Sequence, residues 1–466
     1  MIMESSLPKD QSKYDLQEFL SGFNNDSEVK KILKQIGVRP SKGMGQNFLI
    51  DPSVSESIVG ALNIDSDDII VEIGAGLGAL TRHLIGKAKK LVLIEYDRGI
   101  YEYLSEVLSG VDGVVVVHQD AVTFDVRPYY AEGAVKVIGN LPYSCGTEII
   151  RNFLTFPSPV DLAVFMLQKE VVNRFCAVPR TKSYGVLTVM TGAFWNVERL
   201  QDLTFEPFTP KPAVDSSVIR FSPSGSDKYP PFNQRVLRRI VKCGFNQRRK
   251  QLKKRLPLGL CSWDKLCEEM KLQETVRAEE LSVEEWIKMA RIVDDNPLKD
   301  NPQKGDEMFD VVDEDDKVID QMERSRVHSE GLLHRAVHVF VFNKRGDLYL
   351  QKRSVLKDSS PGLWDSSASG HLDVGEGYNC AAVRELAEEL GIFLGVDFVC
   401  SIQPSENTGW EFVHLYRCEH NGPFNFPYSE IEGGGFFPVD IITNWVRKRS
   451  ADFAPGFVEC WNGYNN

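Results

Sequence analysis

Apolar runs dominate the first third of the chain, at residues 69–73 with Glu72 alone interrupting, at 91–94 and 114–117, and in the run that ends at Asn140. Runs of this length predict strands buried on both faces, and helical-period stretches such as 54–62 and 80–85 lie near them, the arrangement of a doubly wound parallel sheet. Residues 1–27 have little periodicity and read as a loose tail. From 232 to 256 the pattern becomes an amphipathic helix and turn, and 277–286 reads as a closing helix. The segment 294–306 is polar, rich in Pro and Asn and without period, which marks a linker. Beyond it the pattern changes to an alternating strand at 337–342, a turn at 343–346 and a further strand at 348–352, an α/β arrangement built on hairpins. The expected division is therefore 1–27 tail, 28–222 parallel-sheet domain, 223–293 helical lobe, 294–306 linker and 307–466 second α/β domain.

At 466 residues the chain is too long for one core, consistent with this division. Its net charge of −12 is unevenly placed: residues 1–300 hold 39 basic and 39 acidic side chains, whereas 301–466 hold 15 and 27. Residues 201–255 carry 13 basic and 4 acidic side chains, a local excess that favours contact with phosphates through Arg248, Arg249, Lys250, Lys253 and Lys254. The nine cysteines form no C-x-x-C pair, which argues against a disulfide framework or zinc knuckle and fits a reducing compartment. No apolar run approaches membrane-spanning length and the first residues lack an apolar leader, so a cytoplasmic protein with no membrane partner is expected.

The parallel-sheet domain places chemistry at its strand ends. Residues 69–73 enter the glycine loop Gly74-Ala-Gly76-Leu-Gly78, where a ligand can approach the backbone and a helix N-terminus. The next strand ends in Glu95, 21 residues after Gly74, an offset at which a carboxylate grips ribose hydroxyls. The third leads to Asp120, suited to accept from an exocyclic amine, and the fourth ends in Asn140-Leu-Pro-Tyr143. An Asn side-chain oxygen and a backbone carbonyl can turn a conjugated amine so that its lone pair is free for a sulfonium methyl, and Tyr143 supplies a stacking face. An isolated N-x-P-Y is more often a strand end with a Pro turn. Four strand ends carrying Gly74, Glu95, Asp120 and Asn140 reverse that preference, and S-adenosylmethionine is the ligand inferred.

With Gln46-Asn-Phe-Leu49 and Phe208-Thr-Pro-Lys-Pro-Ala-Val-Asp215-Ser216, these motifs resemble the KsgA-type small-subunit ribosomal RNA adenine dimethyltransferases over about residues 30–292. The resemblance implies a Rossmann-like S-adenosylmethionine-dependent methyltransferase sheet with a small helical C-terminal lobe. It implies methylation at N6 of two adjacent adenosines in the 3′-terminal hairpin of small-subunit rRNA, with that RNA or an immature small subunit as partner. It assigns Asn47, Leu49, Gly74, Glu95, Asp120 and Asn140 to the cofactor, Asn140 also to the target amine, and Tyr143 and Phe208 to a sandwich around the flipped adenine. Ala213 stands where a lysine commonly precedes Val-Asp-Ser, which leaves the aromatic clamp intact and puts at most a phosphate contact in doubt. A large-subunit rRNA methylase and a ribosome assembly factor are the alternatives.

In the second domain, Glu385, Glu388 and Glu389 fall at i, i+3 and i+4, so one helical face presents three carboxylates. A solvated acidic face is the plain reading of such a run. The cluster also suits hard divalent cations, Mg²⁺ or Mn²⁺, bridging a diphosphate. The frame Gly370-x5-Glu376-x7-Arg384-Glu385-Leu-x-Glu388-Glu389-x-Gly391 matches the Nudix box, and about 307–466 resembles Nudix hydrolases with an α/β/α sandwich fold. That resemblance implies hydrolysis of a nucleoside diphosphate-type small molecule, with Glu376 and Arg384 bracing the loop, and Glu430 or Glu432 as a further carboxylate. The flanking sequence is similar to the branch containing isopentenyl diphosphate isomerases. That branch has a cysteine just ahead of Gly370-His371, where this chain has Ser366-Ser-Ala-Ser369, so hydrolysis is preferred and an isomerase-like or non-catalytic binding module is the alternative. His334, His338 and His371 are candidate extra ligands or packed strand histidines.

Overall fold

The computed structural model describes residues 14–39, 46–225, 228–248, 250–256, 262–294 and 305–466. Packing divides them into two compact units, one from the chain up to Met289 apart from the short stretch 230–236, the other from Ala290 onward. The expected linker residues 295–304 lie outside the described residues.

The first unit is organised on seven strands: β1 Ile69–Ile73, β2 Lys90–Glu95, β3 Val114–His118, β4 Val135–Asn140, β5 Val160–Gln168, β6 Trp195–Leu203 and β7 Ser216–Pro223. Their order across the sheet is β3-β2-β1-β4-β5-β7-β6. The first five are parallel, and β7 runs antiparallel between β5 and β6. Every side chain of β1 is buried, Glu72 included, as in a strand covered on both faces. The chain moves outward from β1 through β2 and β3, then crosses to β4 on the other side. The crevice at that reversal lies at the carboxyl ends of β1 and β4, where Gly74 and Asn140 stand.

The loose tail expected for 1–27 is replaced by structure over its described part. Helix α1, Leu16–Ser21, is capped by Asp15, whose carboxylate accepts from the Gln17 and Glu18 amides. Helix α2, Asp26–Gln35, is capped by Asn25. Phe19, Phe23, Val29 and Leu33 are buried in one core with Leu77, Leu80 and Phe208. Three well-spaced aromatics (Tyr14, Phe19 and Phe23) anchor a segment too short to show a helical period. Downstream, the helix Pro52–Gly60 is capped by Asp51, with Pro52 in its first turn.

The helical lobe comprises α3, Gln234–Phe245, the helix Trp263–Met270 and α4, Val283–Ile292. The expected closing helix over 277–286 is divided: Ala278–Glu280 is a single 3₁₀ turn, and α4 starts anew at Ser282, whose hydroxyl caps the Glu285 amide while Glu285 caps Ser282. Trp286 is fully buried against Phe245, with ring centroids 5.8 Å apart, and a side chain at Gly244 would collide with its ring.

The second unit begins with a hairpin, β8 Met308–Val312 and β9 Val318–Glu323. A seven-stranded mixed sheet follows, from β10 His334–Phe342, β11 Leu348–Arg353, β12 Trp364–Asp365, β13 Ala368–His371, β14 Asp397–Ile402, β15 Glu411–Glu419 and β16 Ile431–Phe437. Strand β10 pairs in parallel with β15 and antiparallel with β13. Alternation along β10 sends Val337, Val339 and Val341 under the helix Tyr378–Leu390, here α5, with its Ala381, Ala382, Leu386 and Leu390. Phe340 on the opposite face meets Phe457 and Trp461 of the C-terminal helix Pro455–Asn465. The sheet is thus covered on both sides, the α/β/α sandwich expected. Among the described residues no helix is long and apolar enough to cross a membrane.

Candidate active sites

At the carboxyl edge of the first sheet, Gly74, Gly76 and Gly78 all adopt positive φ, the conformation that lets the loop turn tightly after β1. Glu95 is buried and ties this loop to the end of β2. Its carboxylate accepts from the amides of Gly76 at 3.0 Å, Tyr96 at 2.9 Å and Asp97 at 2.9 Å. Burial raises its pKa against those donors. Beneath the loop, Thr81 donates to the fully buried Glu72 at 2.7 Å, and burial, with Glu95 adding repulsion, pushes Glu72 up to about 8. Asp120 is exposed and accepts from the Val122 amide at 2.8 Å through one oxygen.

Asn140 Nδ2 donates to the main-chain oxygen of Asn47 at 2.9 Å. Only the NH₂ end of an amide can make that bond, so Oδ1 is fixed as the acceptor end. Leu49 pairs with Phe208 in a short antiparallel ladder. The structure therefore gathers Asn47, Leu49, Asn140 and Phe208, distant in sequence, beside the glycine loop. Tyr143 is half-buried and its hydroxyl lies 2.6 Å from Ser216 Oγ, which fixes the ring. Phe208 differs from the expectation of an open stacking face: it is only 1% exposed, its ring enclosed by the core beneath α2.

In the second unit, the Nudix-type loop is braced as its spacing implies. Arg384 Nη2 meets Glu376 at 2.8 Å and donates to the His371 carbonyl at 2.9 Å. Arg384 Nη1 also contacts Glu385 at 2.7 Å and Glu388 at 3.2 Å. Glu385 and Glu389 are sequestered and Glu388 is exposed. Burial, reinforced by Glu389, pushes Glu385 up to about 8, and burial likewise lifts Glu389 to about 7 despite the Lys357 ammonium. Glu389 accepts from the Ser369 amide at 2.9 Å and from Gln351 at 3.2 Å. Glu385 and Glu389, two neighbouring carboxyl groups that resist ionisation, fit a divalent cation, which would replace the protons. Of the two distal acids, Glu430 repels Glu389 and lies 3.4 Å from Lys357, whereas Glu432 faces Lys352.

The three histidines expected as ligands or packing residues separate. His338 is buried with Nδ1 2.6 Å from Ser366 Oγ and belongs to the core network. His334 and His371 instead join His328, with ring nitrogens all within 4.8 Å of one another. Glu411 Oε1 lies 3.0 Å from His371 Nε2 and 3.5 Å from His334 Nε2. Burial pushes Glu411 up, but hydrogen bonds from the two rings outweigh it and hold the acid far below its usual range. His328 and Glu411 carry no sequence motif; Glu411 is legible only as an acid opening a strand that is otherwise largely apolar.

Family comparison accounts for both units. The ribosomal RNA adenine dimethylase model matches residues 38–295, more than half of the chain. The chain belongs to the ribosomal RNA adenine dimethylase family. A NUDIX domain model matches residues 332–457, so this dimethylase carries a second, Nudix enzyme domain. Ribosomal RNA small subunit methyltransferase A of Clostridioides difficile is 35% identical over 279 residues, covering 58% of this chain and 96% of the relative. The protein of that name from Shewanella oneidensis is 38% identical over 261 residues, covering 56% and 97%. A dimethyladenosine transferase structure from Plasmodium falciparum aligns with a TM-score of 0.43 at 24% identity, over 52% of this chain and 95% of that one.

Within the dimethylase lobe the expected phosphate-binding residues divide. Arg248 is a correction: its guanidinium pairs with Glu279 and donates to the carbonyls of Lys182 at 2.6 Å and Thr181 at 3.0 Å, so it is an internal clamp. Arg249 lies outside the described residues. Lys250 and Lys254 are exposed, and Lys253 stands 3.6 Å from both Asp264 and Glu274.

Proposed function

We propose that the first unit transfers methyl groups from S-adenosylmethionine to N6 of two adjacent adenosines in the 3′-terminal hairpin of small-subunit rRNA, in the cytoplasm. The observation that carries this reading is the bond from Asn140 to Asn47, which orients the Asn140 acceptor oxygen beside the glycine loop. That oxygen can accept one N–H of the adenine amine and free its lone pair. Tyr143, held by Ser216, supplies a fixed stacking surface, and the buried Glu95 carboxylate keeps one unused lone pair for a ribose hydroxyl. S-adenosylmethionine, when bound, supplies the electrophilic methyl. Exposed Lys250 and Lys254 supply phosphate contacts. Mapping dimethyladenosine by primer extension in a deletion strain complemented with wild type or Asn140→Ala tests this. Loss of the small-subunit modification in the mutant is expected; loss only at a large-subunit site would refute the target.

For the second unit we infer Mg²⁺- or Mn²⁺-dependent hydrolysis of a nucleoside diphosphate-linked small molecule. Glu385, Glu388 and Glu389, with Glu430 nearby, would hold the cation, which when bound supplies charge neutralisation for the diphosphate. Arg384 and Glu376 keep the loop in register. The segment Ser366–Ser369 offers no thiol: Ser366 contacts His338, Ser367 contacts the Tyr349 carbonyl, and the Ser369 amide holds Glu389. Hydrolysis therefore remains preferred over isomerisation. A substrate panel of nucleoside diphosphate derivatives, run with wild type and Glu389→Gln, tests it. Equal product release by both would refute the metal assignment.

The histidine cluster supports a second cation position as part of this reading. His334 Nδ1 lies 2.8 Å from the Leu332 carbonyl, and its Nε2 faces the Glu411 oxygen at 3.5 Å. Three imidazoles grouped beside a buried carboxylate suit a transition metal.

A further inference from the structure

The segment between β6 and β7 presents a different aromatic from the one its motif suggests. Phe208 is enclosed, whereas Phe205, three residues earlier, is 43% exposed. The Phe208 amide donates to the Phe205 carbonyl, so the two residues close one turn. Lys211 places its ammonium 4.9 Å from the centroid of the Phe205 ring. The next position where a positive side chain would be expected, residue 213, is Ala. Single exposed aromatics are ordinary on protein surfaces. This one combines an open ring, a cation over one face, and a chain that runs on within the same loop to Ser216, the residue that holds Tyr143.

The surroundings favour a polyanion. A cavity of about 930 Å³ lies between α2 and this segment and is lined by Phe208 and Lys211 with Lys30, Lys34 and Arg39. Its acids are Asp26 and Glu206. Asp26 is neutralised by Lys30 at 2.5 Å and bonded by Thr209, and Glu206 is bonded by Thr204. Four cations against two engaged carboxylates leave a positive rim.

We propose that Phe205 and Lys211 form an RNA contact that holds the nucleotide flanking the target adenosine, Phe205 by stacking on its base and Lys211 by pairing with its phosphate. This rests on the dimethylase reading above and adds a specificity element to it. Lys211 takes over the charge that Ala213 lacks. Base stacking on a protein aromatic is tolerant of sequence, so the pair fixes strand position more than base identity.

The test uses the full chain and a hairpin RNA carrying two adjacent loop adenosines, with S-adenosylhomocysteine for the binding measurements and S-adenosylmethionine for turnover. Phe205→Ala should weaken RNA binding by roughly 5- to 100-fold with an unchanged salt slope. Lys211→Ala should lower the slope of log affinity against log salt by about 1, and adding Ala213→Lys should restore it. Both variants should raise KM for RNA with little change in kcat and none in cofactor affinity. If wild type binds and methylates the hairpin and both variants match it, the contact is refuted alone. A parallel loss of cofactor affinity in Phe205→Ala would also refute it, by revealing a folding role. If wild type neither binds nor methylates the hairpin, the underlying reading falls and the contact with it.

Discussion

Asn140 Nδ2 reaches the main-chain oxygen of Asn47 across 2.9 Å, joining the end of β4 to a segment 93 residues earlier. Because the acceptor is backbone, the bond survives side-chain changes at 47 and depends on the amide at 140. Asn140→Asp would set a carboxylate against that carbonyl, replacing a bond by repulsion. We expect cofactor binding to weaken by roughly 5- to 150-fold, the range for a lost buried partner, as read by titration calorimetry. Unchanged affinity would mean that the bond does not shape the cofactor site.

Glu72 titrates near 8 in the folded protein against 4.5 for an ordinary glutamate, with burial as the main cause. The folded state therefore holds this proton more tightly than the unfolded state. Its contribution to stability is complete below about pH 4.5 and is lost as pH rises through about 8. Glu72→Gln cannot titrate, so the Tm difference between wild type and mutant should fall steadily from pH 5 to pH 8.5. A difference independent of pH would show that Glu72 is ionised throughout.

Gly370 lies against Glu385, and a Cβ there would fall within its carboxyl group. Gly370→Ala should displace Glu385, cost about 1–3 kcal/mol by overpacking, and abolish diphosphate hydrolysis. Methyl transfer measured on the same preparation should be unaffected. Retained hydrolysis would remove Glu385 from the metal set.

The histidine cluster makes a prediction about composition. Chain purified without chelator should carry a transition metal measurable by elemental analysis, lost in His334→Ala and His371→Ala. Glu389→Gln should keep it while losing Mg²⁺-dependent turnover. Equal metal content in all four proteins would leave the cluster as a hydrogen-bonded core network.

Fold class was legible because both sheets announce themselves by pattern: largely apolar runs for β1–β4, alternation for β10. The strand-end residues followed from topology, since each acid or amide sat at a fixed place after an apolar run. What sequence could not show depends on packing between distant segments. The family resemblance assigned Phe208 to the adenine sandwich, yet its pairing with Leu49 encloses it. Arg248 read as a phosphate ligand because Glu279, which engages it, lies across the lobe. His328 entered the histidine cluster through a helix whose sequence carries no motif. The isolated aromatics of residues 14–23 gave no period to detect.

The seat of Phe19 on the glycine loop has a practical corollary. A side chain on Gly78 would occupy the space of the Phe19 ring, and Arg82, which bonds the Gly78 carbonyl, lies over the Phe23 ring. The matched dimethylase region begins only at residue 38. Trimming the gene to that boundary would strip these rings from the loop and leave a dimethylase that folds loosely around its cofactor. Expression boundaries for domain dissection belong ahead of Tyr14.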